Sequence, residues 1–366
     1  MTTVLGFWNQ SLRVGMKLIL TAFCGLILAI PASAGGPNNQ DSFKVLSAIV
    51  RGNLAIFPVV SKANYDTSQL MTLDEGIRSG QVTVTEAGDE RGLIRPDQAM
   101  PRRQEGAEVN RLVLYNNSSH PLLLLAGEIV TGGKQDRVIG SDRIVPPNTG
   151  PIDLGVFCVE PGRWVASSAN FGSMGAQMAQ PSVRTPAMAE RNQNQVWANV
   201  RESNAKIANN LAGADATSVQ QTSSYAKVFA SAPVAKMVSA YGGAESEQSI
   251  LRELRAKGAV GVVVAVDGRV LWADIFASTE LLSKYWPKLM RSYVAEAITS
   301  ASNGAAADIH EAELYMNVLT GGREIVETEP EVYRRTDITG DGFRVFELMA
   351  LLPKTGFNVH ITKIRQ

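Results

Sequence analysis

Cysteine is nearly absent: the 366 residues hold two, Cys24 and Cys158. Cys24 lies inside an apolar N-terminal run, so the folded part of the chain is left with one thiol and no internal disulfide. Stability must come from a core, and 45% hydrophobic content over this length is ample to build one. Histidine is also scarce: His120, His310 and His360 lie far apart and match no zinc spacing. Charge is sparse and balanced, Lys+Arg 35 against Asp+Glu 35, with no basic patch. That excludes a nucleic-acid reader. The N-terminal apolar run, residues 18–30, falls short of the ~20 residues needed to span a bilayer.

That run has another use. Arg13 and Lys17 precede it, and Pro31-Ala32-Ser33-Ala34 follows it. A positive segment, a short apolar segment and an A-x-A site make a secretory signal, cleaved after Ala34. Met16 serves as a start as well as Met1 does, because the residues between add nothing a signal needs. No lipobox surrounds Cys24. The expectation is a periplasmic or secreted protein with no membrane span after cleavage.

Residues 35–44 are polar and read as a tether. Residues 45–165 read as a β-rich half. Within it, 55–60 and 81–86 form strands, 109–115 and 122–130 form a hairpin across Asn-Asn-Ser-Ser turn chemistry, and Ile152, Leu154, Val156 and Cys158 alternate on one face. The charged, Pro/Gly-punctuated segment up to Glu108 reads as a surface loop. Residues 166–195 read as a mobile loop whose Met174, Met178 and Met188 have no His or Cys partners for a soft metal. From 196 to 366 a second, α+β half packs on the first. Its helical stripe runs through Val196, Val200, Ile207 and Leu211, and Asp267-Gly268 marks a hairpin. Ser278 caps a helix that Pro287 should kink or divide. Strands near 324–327, 332–335, 343–352 and 358–364 close the chain. The class is α+β: an antiparallel or mixed β-rich N-terminal half, a helical middle, and a β tail completing the same sheet system.

The chemistry concentrates between Pro121 and Trp164. Glu128 and Asp136, with Asp142 and Glu160, are the candidate catalytic acids, bases or divalent-metal ligands. Lys134, Gln135, Arg137 and Arg163, with Gly132 and Gly133, are the candidate ligand-binding set, because glycine lets backbone N–H groups approach an anion. Gly127 and Gly132 have P-loop spacing, but Gly133 intervenes before Lys134, and Gln135 replaces the hydroxyl residue. A nucleotide-hydrolysing P-loop is thereby excluded. The competing reading is that Arg137, Arg143 and Arg163 neutralise these carboxylates as structural ion pairs. Cys158, on the apolar face of a strand, reads as a small core residue. Asp337 to Gly342 suggests a calcium loop but misplaces the twelfth ligand, so it reads as a hairpin turn.

The passages LLLLAGEIVTGGKQDRVIGSDRIVPP, VFCVEPGRW, VGVVVAVDGRVLWADIFAS and YWPKLMRSY resemble a bacterial family, the ARG and rhodanese-phosphatase-superfamily-associated proteins, ARG standing for ADP-ribosylglycohydrolase. The resemblance covers nearly all of the mature chain. It implies an association with ADP-ribose and phosphate-processing enzymes and assigns no activity, cofactor or catalytic residue. Two functions follow as expectations. One is binding, with or without hydrolysis, of an anionic small molecule such as a nucleotide or ADP-ribose derivative; it requires the charged side chains to converge in one cleft. The other is a non-catalytic envelope domain with a protein or glycan partner; it requires the same charges to pair off internally.

Overall fold

Apolar segments of alternating or continuous pattern become strands in the computed structural model, which describes residues 43–87, 111–163, 167–173, 177–300, 304–352 and 356–366. These fall in one compact unit spanning 41–366. The expected signal, most of the tether, the loop from 88 to 110, and Met174 lie outside the described residues.

The chain begins with β1 Lys44–Val45, β2 Ile49–Arg51, β3 Leu54–Val60 and β4 Met71–Thr72, then α1 Leu73–Arg78. Thr72 and Glu75 start α1 with a reciprocal capping box, satisfying two of its orphan N–H groups. Strands β5 Val82–Glu86, β6 Arg111–Asn116, β7 Leu122–Leu124, β8 Ile129–Val130, β9 Arg137–Ile139, β10 Arg143–Val145 and β11 Thr149–Cys158 follow. The helical middle is α2 Pro181–Thr185, a π-helical turn Pro186–Glu190, α3 Gln193–Asn209, α4 Gly213–Gln220, α5 Tyr225–Ala230, α6 Ala232–Ser239 and α7 Gly243–Ala256. The chain closes with β12 Ala259–Val266, β13 Arg269–Phe276, α8 Thr279–Thr299, α9 Ile309–Asn317, β14 Arg323–Glu329, β15 Tyr333–Gly340, β16 Phe343–Ala350 and β17 Phe357–Arg365. The fold is α+β, as its sequence pattern implies.

The strands form a nine-stranded antiparallel sheet in the order β1-β3-β12-β13-β17-β16-β15-β14, with β2 on β3, a three-stranded sheet β10-β7-β4, and a five-stranded sheet β5-β6-β11-β9-β8. The closing strands thus join the sheet of the first three strands, while the strands between 111 and 158 form sheets of their own. The expected hairpin between 109–115 and 122–130 does not form. Instead β6 pairs with β5 and β11, and β7 pairs with β10 and β4. The Asn116 amide sets this crossing by donating to the carbonyls of His120, Val145 and Pro146. The unbroken Leu122-Leu123-Leu124-Leu125 run has a reason: Leu122 and Leu124 enter one core, Leu123 and Leu125 the core on the other side. Each such side chain, fully buried, contributes about 1.5–3 kcal/mol.

The stretch expected as a mobile loop, 166–195, holds α2 and the π-helical turn, with Val183, Arg184, Ala187 and Met188 buried. Composition misled there: Ser, Gln and Ala are as compatible with a short buried helix as with a loop. Pro287 does not divide α8, which runs unbroken from Thr279 to Thr299 with the proline inside it. Helix packing on the main sheet outweighs the lost backbone bond. The Asp267-Gly268 turn, both residues at positive φ, and the turn at Asp341-Gly342 join hairpins as expected.

Candidate functional site

The segment that reads as an anion cradle holds anions of its own. Gly132 N–H donates to the Asp136 carboxylate and Lys134 N–H to Glu86 Oε1 at 2.9 Å. Arg163 binds Glu160 at 2.7 Å and Asp136 at 3.3 Å, and donates to the Gly132 and Gly133 carbonyls. Gln135 donates to the Glu160 carbonyl, and the Asp136 N–H to the Glu160 carboxylate. Arg137, fully buried, stands 3.9 Å from Glu86. Ser224 completes the set by donating to Asp136. Burial, then the charge of Glu160, raises the Asp136 carboxyl despite these donors. The structure therefore brings Gly132, Gly133, Gln135, Asp136, Arg137 and Arg163 together as a braced, largely buried cluster. Cys158 lies beside it, buried, with its thiol pushed up by burial, unlike the depressed thiol of a nucleophile.

Glu128 belongs to a different cluster. Its Oε1 accepts from Lys288 on α8 at 2.6 Å, and its Oε2 accepts the Leu125 N–H. Lys288 also pairs with Asp74 on α1. Burial raises the Glu128 carboxyl, and the Lys288 ammonium offsets this only in part. On Lys288 burial opposes the charge, but the two carboxylates outweigh it and keep the ammonium protonated.

A third cluster crosses the core. Asp142 accepts the Ala126 N–H and, at 2.6 Å, the Nδ1–H of His360; His360 Nε2 stands 3.3 Å from Asp274 Oδ1. Asp274, fully buried on β13, accepts from both terminal nitrogens of Arg184, from Trp272, from Tyr293 and from Thr362. The guanidinium lies 4.4 Å over the Trp272 ring. Burial opposes the Asp274 charge, yet Arg184 and then His360 outweigh it and hold the carboxyl far below the usual range. For His360, burial disfavours the cation, but Asp142 and Asp274 raise it to about 9. Gly127, at φ 94, makes room: a Cβ there would meet Arg184 Nε at 2.5 Å.

Asp142 also lines the one concavity that reaches the central stretch among those described. This cleft of about 220 Å³ lies over β14, β15 and β16 and is walled by residues 140–142 and 188–191. Strand register places Ile325, Glu327, Arg335, Asp337, Arg344 and Phe346 on one face. Arg344 pairs with Asp337, Arg335 with Glu327, and Arg191 reaches Glu327 at 3.6 Å. Arg344 Nε and Asp337 Oδ1 are buried without a hydrogen-bond partner, so their pair is incompletely satisfied. Burial, then Glu324, raises the Glu347 carboxyl at the cleft margin.

Glu128 and Asp136 are thus held in separate buried clusters, the first by Lys288 and the second by Arg163 and Ser224. Arg191, Arg335 and Arg344 escape a reading of the sequence because they alternate with ordinary strand or loop residues. Arg184, Asp274, Lys288 and His360 escape it too, although a charged residue inside an otherwise apolar strand, as in Trp272-Ala273-Asp274-Ile275-Phe276, is a usable signal. Among the described residues no group of three or more His, Cys, Asp or Glu is placed to hold a metal ion, and no helix is long and apolar enough to cross a membrane.

Fold and clusters together define a mixed α+β protein built on buried ion networks, with an arginine–carboxylate cleft at the end of its main sheet. The model of the ARG and Rhodanese-Phosphatase-superfamily-associated Protein domain matches residues 42–362, and the chain belongs to that family. Comparison with curated proteins finds no match, and comparison with solved structures finds none either.

Proposed function

We propose that the protein is exported and binds an anionic, hydroxyl-bearing small molecule of the sugar-phosphate or ADP-ribose kind in the cleft over β14, β15 and β16. The observation that supports this is the lining: three arginines and five carboxylates around about 220 Å³. Guanidinium forks suit phosphate oxygens, and carboxylates accept from hydroxyls. Carboxylates in excess disfavour a bare polyanion and favour a ligand that offers both groups. The volume is below the roughly 300–1,000 Å³ of common ligand pockets. A sugar phosphate matches it, and the rest of a nucleotide would extend outside.

Binding is proposed without hydrolysis. Asp142, the most buried of the carboxylates lining the cleft, has one oxygen on Ala126 N–H and the other on His360, which leaves it poorly placed as a base. The association with a phosphatase superfamily in the family's description and the signal pattern of residues 1–34 agree with a phosphorylated ligand met outside the cytoplasm. A thermal-shift panel of ribose 5-phosphate, ADP-ribose, inorganic phosphate and ribose tests it. At a hundredfold excess over the dissociation constant a ligand stabilises the fold by ~2.7 kcal/mol, and ribose 5-phosphate or ADP-ribose should do so where ribose does not.

A second reading, a non-catalytic protein- or glycan-interaction domain, is favoured by the internal pairing of Arg163 with Glu160 and Asp136. An apolar hollow of about 330 Å³ between α5, α6, α7 and α8, with Phe229, Val238 and Tyr241 in its lining, would be its contact surface. No response to any compound of the panel shifts the weight to this reading.

A further inference from the structure

The nine-stranded sheet ends in β1, two residues long, and in β14, seven residues long. All seven residues of β14 are exposed, Ile325 44% and Val326 54%. The strand pairs with β15 over seven consecutive positions without a bulge. Its outer row of N–H and C=O groups is therefore a straight template for another strand. Charged side chains on an edge ordinarily keep other strands away, but the order Arg323-Glu324-Ile325-Val326-Glu327-Thr328-Glu329 is complementary to itself.

We propose that β14 pairs antiparallel with β14 of a second copy of this chain, about a two-fold axis through Val326. In that register Arg323 stands opposite Glu329 of the second copy, and the symmetry makes the pair twice. Glu324 faces Thr328, Ile325 faces Glu327, and Val326 faces its own counterpart. Neighbouring registers are worse. Directly opposed side chains of an antiparallel pair share a face, so a two-fold axis normal to the sheet must sit on a residue, and like charges directly opposed are destabilising. Placing it on Glu327 opposes that residue to itself; placing it on Ile325 shortens the pairing and leaves Glu329 unmatched. Only the Val326 axis uses the whole strand with charges matched at both ends. An isologous edge of this kind closes as a dimer, and because Ile325 and Glu327 also line the cleft, the two clefts would flank one seam. So short a contact gives an association that depends on concentration and is weakened by salt.

Sedimentation velocity on the full chain, over a concentration series at low salt, tests this. The wild type should pass from monomer to dimer. Arg323→Glu should move that transition to roughly tenfold higher concentration or beyond, the size of a 1.4 kcal/mol loss. Glu329→Arg should do the same, although Glu329 also stands 3.8 Å from Arg143, which makes Arg323→Glu the cleaner single change. The double exchange Arg323→Glu with Glu329→Arg rebuilds both pairs across the axis and should restore the dimer. A chain that stays monomeric throughout, a dimer indifferent to Arg323→Glu, or a double variant with wild-type circular dichroism that stays monomeric would each overturn the proposal.

Discussion

Lys288 holds two carboxylates at once. It is 2% exposed at the centre of α8, with Glu128 and Asp74 on its ammonium. Removing one partner of a buried ion set leaves the others uncompensated, and this costs about 3–5 kcal/mol. Lys288→Met, which fits the space, should lower the stability to urea by that amount at pH 7. Part of the loss should return toward pH 5, because the Glu128 carboxyl is already raised and protonates readily without the ammonium. A change within about 1 kcal/mol would place Lys288 among the ordinary surface pairs instead. The same logic accounts for Glu128, a candidate acid in the sequence: both of its oxygens are already engaged, one by Lys288 and one by the Leu125 N–H.

The turn of residues 131–136 is an element made by its contacts rather than by its own pattern. Gly133 has φ 48, and a Cβ there would meet the Phe171 ring at 2.3 Å and Glu86 Oε1 at 2.6 Å. Backbone strain in that region costs a non-glycine residue about 1–3 kcal/mol, and the clash adds to it. Gly258, at φ 65 with nothing within 4 Å of the same added atom, carries the strain alone. Gly133→Ala should therefore lower the melting temperature clearly more than Gly258→Ala. Equal losses would mean that Phe171 and Glu86 do not press on the turn.

Much of this level was legible in the sequence. The Asp-Gly turn between β12 and β13, the alternation into Cys158 and the Ser278 cap all rest on local chemistry. The partners of the central charges were not. Lys288 lies 160 residues from Glu128, His360 lies 218 from Asp142, and Arg184 lies 90 from Asp274. No periodicity encodes pairings at that distance. The glycines and charges of residues 127–137 stand out in the sequence, but their spacing alone cannot tell a ligand's anion from Glu86 and Asp136.

At the scale of the whole molecule, the Asp142–His360–Asp274–Arg184 chain ties the central stretch, α2, β13 and β17 into one core. His360 in the folded state titrates at about 9, against ~6.5 in the unfolded chain. A value raised on folding means stability that is fully present below pH 6.5 and lost as pH rises through 9. Asp274 is shifted the other way, downward, so its contribution is present above the usual carboxylate range and is lost on acidification. The network should thus stabilise most between about pH 4 and 6.5. Chemical denaturation of the wild type from pH 6 to 9.5 should show a falling limb, and His360→Gln should be less stable at pH 6 and flatter across the same range. Parallel curves would remove His360 as its source.

The proposed ligand site is the cleft over β14, β15 and β16, not the glycine-rich turn at 132–134. The most direct measurement is calorimetric titration of ribose 5-phosphate and ADP-ribose into the wild type, Arg344→Ala and Lys134→Ala. Loss of one charge-assisted contact costs roughly 1.5–3 kcal/mol, a factor of about ten or more in affinity. Arg344→Ala should show that loss and Lys134→Ala near-normal binding. Weakened binding in Lys134→Ala with Arg344→Ala unaffected would contradict it and return the site to the turn.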